Sequence, residues 1–195
     1  MNILRIGHRG SKGYVAENTL ESINNAILLG ADGIEIDVFK CLSGELVLSH
    51  ENNLKRLTGK SGQLEKLTLG ELKKFLVVGK YKIPTLTDVL KTIETPLFVN
   101  IELKGLNTAQ ATSKIITNLS KSTSWRLENF IISSFNWNEL EQFRSIDKNT
   151  PVGVLLSNSM SINEAIEFGK KINAQAIHPN FKLLNEKTVK KIKNN

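Results

Sequence analysis

Short apolar runs alternate with stretches of helical periodicity along this chain, and that alternation limits the fold more than any other feature. The runs are Ile3–His8, Ile34–Val38, Leu46–His50, Leu97–Lys104, Phe130–Phe135, Val152–Leu156 and a weaker Ala174–His178. Most are apolar for four or more residues, as strands buried on both faces require. Helical patterns fill the intervals. Asn18 with Glu21 predicts a helix start, Leu20, Ile23 and Ile27 its apolar stripe, and Gly30 its stop. Thr85 with Asp88 and Ser161 with Glu164 predict two further starts, and residues 108–119, 137–143 and 183–193 also read as helices. Two connections differ. Ser43-Gly44 is a turn, and residues 51–83 are a long polar segment of the kind that is functional or carries its own small structure.

Repeated strand–helix alternation implies a parallel sheet, either doubly wound or closed as a barrel. Polar residues gather at the C-terminal ends of many of the runs: His8, Asp37, His50, Lys104, Ser134 and His178. A barrel brings all such ends into one ring, whereas an open sheet joins only those at its switch point. The α/β class with a TIM (β/α)8-type barrel is therefore favoured. With 195 residues, 40% of them hydrophobic, one domain over 1–195 is expected.

The formal net charge of +7 admits anionic partners. The lysines are dispersed, however, and read as solvated helix faces. No basic patch interleaved with aromatics is visible, which argues against nucleic acid. Cys41 is the single cysteine, so an internal disulfide is excluded, which fits a reducing cytosol. No stretch approaches the roughly 20 apolar residues that span a bilayer, and no leader pattern opens the sequence. A soluble, cytoplasmic protein is expected.

In a strand, residues two apart share a face. Glu35 and Asp37 therefore point one way and Ile36 the other, and Asn100, Glu102 and Lys104 likewise share a face opposite Ile101 and Leu103. Neighbouring carboxylates on a buried face repel each other and lose hydration; a bound cation resolves both problems. All-oxygen ligands suit Mg2+ or Ca2+ rather than zinc. The alternative for the first strand is a surface strand with acidic residues facing water, and for the second a Glu102–Lys104 surface pair on an edge strand. Lys104 can meet a phosphate as a point charge, and Arg9 can grip one bidentately. His8 and His50, each ending an apolar run, are candidates for a general acid and base. Walker, Gly-x-Ser-x-Gly and Cys-x-x-Cys patterns are missing, which argues against nucleotide, esterase and zinc chemistry.

In order along the chain, His8-Arg9-Gly10, Glu17-Asn18-Thr19, Glu35-x-Asp37, His50, Ile83-Pro84-Thr85-Leu86, Glu102-x-Lys104 and Ser133-Ser134-Phe135 resemble the glycerophosphodiester phosphodiesterases. The resemblance runs from residue 3 to about residue 180. It implies a TIM barrel with a small insertion at 51–83 and hydrolysis of glycerophosphodiesters to glycerol 3-phosphate and an alcohol. It further implies a divalent cation on Glu35, Asp37 and Glu102, acid–base work by His8 and His50, and phosphate contacts from Arg9 and Lys104. Ala16 stands where the family usually has proline, and Glu51 where it usually has aspartate. The family continues past the region of His178 with further strands, so the resemblance implies a barrel incomplete at its C-terminal end, with about seven strands. A second copy of the chain is one way to cover the edge this leaves. The seven site residues are expected to converge on one cavity. A barrel that binds phosphate or metal without turnover, and a phospholipase D-like enzyme acting on lysophospholipid, are the competing readings.

Overall fold

The computed structural model describes residues 3–195. The chain begins with β1 (Ile6–His8), α1 (Leu20–Leu28), β2 (Gly33–Lys40) and β3 (Leu46–Leu48). A compact excursion follows, made of α2 (Lys55–Thr58), α3 (Leu69–Leu72), β4 (Leu76–Val77) and β5 (Tyr81–Lys82). Alternation then resumes through α4 (Leu86–Thr92), β6 (Phe98–Leu103), α5 (Ala109–Ser122) and β7 (Phe130–Ser134). The last elements are α6 (Trp137–Ile146), β8 (Val152–Leu156), α7 (Ile162–Lys171), β9 (Ala176–Pro179) and α8 (Glu186–Lys193). No helix among the described residues is long and apolar enough to cross a membrane.

The main sheet has seven strands, six of them parallel in the order β1-β2-β6-β7-β8-β9, and it curls into an incomplete barrel. One strand run behaves differently from its neighbours. β3 pairs antiparallel with the outer end of β2, Val38 opposite Leu48 and Lys40 opposite Leu46, about the expected Ser43-Gly44 turn. His50 therefore reaches the site by folding back along β2, not as the end of a parallel strand. The backbone N–H of Ser49 donates to Asp37 O at 3.1 Å, which fixes that return.

Ile34, Ile36 and Val38 of β2 and Val99, Ile101 and Leu103 of β6 are buried. They join Phe130, Ile132, Val152 and Val154 in the layer between sheet and helices. A second apolar cluster, Phe39, Cys41, Val47, Leu54, Leu64, Leu72, Val77 and Ile83, ties the 51–83 segment to the β2–β3 hairpin. β1 has one sheet neighbour, and Ile6 on it remains partly exposed.

Two helix starts carry information about the site. α1 is capped by Thr19, whose Oγ1 accepts from Ser22 N at 3.1 Å, and not by Asn18 as its spacing from Glu21 suggested. Asn18 stands outside the helix at φ 56° and is used elsewhere. α5 has no cap from its own Thr108. Glu139 of α6, 2% exposed, supplies it instead. Its carboxylate accepts from the backbone N–H groups of Asn107 (2.7 Å), Thr108 (3.1 Å) and Ala109 (3.2 Å) and from Thr108 Oγ1 (3.0 Å). A carboxylate at a helix N-terminus also meets the favourable end of the helix dipole. Glu139→Ala strands these donors and is expected to lower unfolding free energy in urea by about 2–4 kcal/mol. Glu139→Gln, which keeps an acceptor oxygen, is expected to lose less than half of that.

Candidate active site

The parallel register lays the polar residues in rows across the concave side of the sheet. His8 pairs with Glu35, and Glu35 with Asn100. One pleat further, Asp37 pairs with Glu102, and Glu102 with Ser133. The alternation that buries Ile34, Ile36 and Val38 against the helices therefore turns Glu35 and Asp37 to the other side. Glu35, Asp37 and Glu102 each present an oxygen within 4.8 Å of the other two. That span matches two metal–oxygen bonds of roughly 2.4 Å meeting at one ion.

Cationic and amide groups surround this cluster. The backbone N–H of Arg9 donates to Glu35 Oε2 at 2.9 Å. Arg9 Nη1 donates to Glu17 Oε1 at 2.9 Å, and its Nε lies 3.3 Å from Asp37 Oδ2, outside hydrogen-bonding geometry. Asn18 Nδ2 donates to Asp37 Oδ2 at 2.9 Å, and Asp37 N donates to Asn18 Oδ1 at 3.3 Å. Lys104 Nζ stands 3.0 Å from Glu102 Oε1, an ion contact that is not a hydrogen bond. His8 Nε2 is 3.8 Å from Glu35 Oε2. His50 lies close enough to Asp37, Lys104 and Arg9 to feel their charges. All seven residues singled out in the sequence are thus brought together.

A cavity of about 300 Å³ lies along the β1 edge between Ile6, Gly10, Tyr14, Ala26 and Leu29, and of the seven only His8 lines it. Sequence reasoning gave Asn18 a capping role, and Glu17 entered only as part of a motif. The signal for Asn18 was Thr19 immediately after it, an equally good cap that frees the asparagine. Ser133 Oγ donates to Asn100 Oδ1 at 2.7 Å and so orients a neighbour of the cluster.

The profile of the glycerophosphoryl diester phosphodiesterase family matches residues 8–195. The chain belongs to that family. It is 32% identical over 188 residues to the glycerophosphodiester phosphodiesterase of Caldanaerobacter subterraneus subsp. tengcongensis, covering 92% of this chain and 76% of that relative. The solved glycerophosphodiester phosphodiesterase of Thermotoga maritima superposes with a TM-score of 0.82 at 30% identity, over 97% of this chain and 79% of that one. An Oleispira antarctica phosphodiesterase solved with the product sn-glycerol-3-phosphate gives a TM-score of 0.87 at 26% identity, over 98% and 81% of the two chains. Family membership makes the chain an enzyme, a phosphoric diester hydrolase, on a TIM-barrel framework.

The glycerophosphoryl diester phosphodiesterases use a divalent cation, and the acidic group of this member suits one. Among the described residues, Asp37 Oδ1 and Glu102 Oε1 are buried without a hydrogen-bond donor. Burial raises both β2 carboxylates above their usual range. Glu35 is pushed up to about 8, with the neighbouring Asp37 charge the next cause. Asp37 is pushed to about 6, although the Asn18 hydrogen bond pulls the other way. The histidines move down: His8 to about 4, through burial and then the Arg9 and Lys12 charges, and His50 through burial against the opposing pull of Asp37.

A carboxyl with a raised native pKa holds a proton that the unfolded chain has already released. In EDTA, Glu35 therefore subtracts stability progressively as pH climbs from 4.5 to about 8. A cation that binds the ionised cluster displaces that proton, so its stabilisation grows over the same window. The melting-temperature gain from saturating Mg2+ or Ca2+ is expected to be small at pH 5 and largest at pH 8. In EDTA, Glu35→Gln is expected to melt above the parent at pH 8 but not at pH 5. A cation gain that is flat with pH contradicts this.

Proposed function

We propose that this enzyme hydrolyses glycerophosphodiesters to glycerol 3-phosphate and an alcohol with the help of a divalent cation. The observation that carries the reading is the meeting of Glu35, Asp37 and Glu102, within 4.8 Å, beside two histidines, an arginine and a lysine. The Oleispira relative's complex with sn-glycerol-3-phosphate supports the product. Glu35, Asp37 and Glu102 hold the cation, Mg2+ or Ca2+, which when bound supplies Lewis-acid stabilisation of charge on the phosphoryl oxygens.

The protein's own groups do the rest. Arg9 and Lys104 face the phosphate and stabilise the charge that grows on its oxygens. His8, lowered to about 4, is neutral at pH 7 and free to take the proton of the attacking hydroxyl, whether of water or of the substrate's glycerol. His50 gives its proton to the departing alkoxide; burial pulls its pKa down, and the neighbouring Asp37 charge acts against that pull. A new P–O bond forms as the bond to the alcohol breaks; where the glycerol hydroxyl attacks, the product of that step is a cyclic phosphate, which water then opens to glycerol 3-phosphate.

A lysophospholipid is the second substrate reading. Phe135 and Leu106 are exposed beyond the ends of β7 and β6, and Phe135 carries its ring 5.8 Å from Lys104 Nζ, where an acyl chain can lie.

Release of glycerol 3-phosphate from glycerophosphocholine tests the reading. EDTA is expected to abolish it and added cation to restore it. His8→Ala and His50→Ala are each expected to lower kcat by about 10²- to 10⁴-fold, with melting temperatures within a few degrees of the parent. Stabilisation by cation without turnover makes the protein a binder instead. Faster release of choline from lysophosphatidylcholine than from glycerophosphocholine favours the lipid substrate.

A further inference from the structure

Arg9 is not free-standing. Its Nη1 is bound to Glu17, and both side chains are close to nine-tenths buried. A buried carboxylate paired with one guanidinium alone tends to neutralise it, and an arginine so neutralised grips a phosphate weakly. Glu17, however, has a second partner. Arg56, on the short helix α2 of the 51–83 excursion, donates from Nη2 to Glu17 Oε1 at 2.7 Å and from Nη1 to Glu17 Oε2 at 3.4 Å. The same guanidinium donates from Nε to Glu51 Oε1 at 2.7 Å. Glu51 Oε1 in turn lies 3.7 Å from His50 Nδ1. One side chain, 39 residues along from Glu17, thus holds the carboxylate behind Arg9 and the carboxylate beside His50.

We propose that Arg56 is a positioning residue for Arg9: by sharing the charge of Glu17 it leaves Arg9 anchored yet still cationic toward a substrate phosphate. The inference rests on the phosphodiester reading of the site, in which Arg9 meets that phosphate. The geometry fits the division of labour. Arg9 is oriented from its backbone N–H by Glu35 and from Nη1 by Glu17, with Nε in ion contact with Asp37 at 3.3 Å. Its Nη2 end makes no hydrogen bond to protein among the described residues. Arg56 itself is 45% exposed, and half-exposed ion pairs contribute little to stability. Its removal is therefore expected to show in substrate binding more than in folding. Without Arg56 the whole charge of Glu17 falls on Arg9 and draws it back from the phosphate.

Steady-state turnover of glycerophosphocholine in saturating cation, with calorimetric affinity for sn-glycerol 3-phosphate as a second readout, tests this. Arg56→Ala is expected to raise KM and the product Kd about tenfold, with kcat within about twofold, the signature of lost uniform binding. The melting temperature is expected to stay within about 2 °C. Arg56→Lys restores most of the affinity, because a single cation still shares Glu17. Adding Glu17→Gln to Arg56→Ala is expected to move KM back toward the parent, since the uncompensated charge is gone while an acceptor oxygen remains. Unchanged KM and Kd in Arg56→Ala overturn the proposal. So does a double variant no better than Arg56→Ala, which marks the network as scaffolding only. A parent protein that neither turns over the diester nor binds the product overturns the phosphodiesterase reading, and this inference falls with it.

Discussion

Three carboxylates held within 4.8 Å of one another, two of them on adjacent strands in direct register, repel strongly once water is excluded. Much of the structure around them answers that repulsion. The strands cannot separate, because Ile34, Ile36 and Val38 are locked between the same sheet and its helices. The relief therefore comes from the concave side: the Arg9 backbone on Glu35, Asn18 on Asp37, Lys104 on Glu102. These partners are fewer than the oxygens. Two carboxylate oxygens are buried without donors among the described residues, and both β2 carboxylates titrate above their usual range. The protein is left with an acidic group that could hold a metal ion.

Backbone geometry bears part of the cost. Arg9 and Asn18 both adopt positive φ, 52° and 56°, a conformation that non-glycine residues avoid at about 1 kcal/mol or more. Both are held there by the loop between β1 and α1. Asn18 N donates to Arg9 O at 3.0 Å, and Ser22 Oγ donates to the same carbonyl at 3.0 Å. Gly10, at φ 80°, passes so close to α1 that a Cβ there would stand 2.7 Å from Ser22 C and 2.8 Å from Ile23 N. This crowded crossing turns the Arg9 backbone toward Glu35 and releases Asn18 from capping to hold Asp37.

The faces of β2 and β6 were legible because a period of two is local information: Glu35, Asp37, Glu102 and Lys104 needed only their neighbours in sequence to be placed. The capping boxes at Thr85 and the Ser161 cap were legible for the same reason. Asn18 was misread because two adjacent residues had equal claims to one cap, and only the position of Asp37 decides between them. Counting Leu46–His50 with the parallel runs failed differently. Composition marks it as a strand and Ser43-Gly44 marks the turn before it, yet the antiparallel direction depends on its pairing with β2, which composition does not carry. The Glu139 cap and the link from Arg56 to Glu17 join residues 30 or more positions apart, which no local pattern encodes.

That antiparallel turn is what makes a two-sided site from a one-sided sheet. A parallel strand end delivers a side chain to the rim, as at His8 and Lys104. The β2–β3 hairpin instead overshoots the rim and returns, so that Ser49 bonds to Asp37 and His50 comes back level with the carboxylates. From there the chain enters the 51–83 excursion, whose own apolar cluster is seated on the hairpin through Phe39, Val47 and Leu64. Arg56 hangs from that seat and reaches across to Glu17 on the first loop. The β1–α1 loop and the excursion after β3 are thereby clasped over the ends of β2 and β6, and the two histidines, one from each side, are held against a common floor.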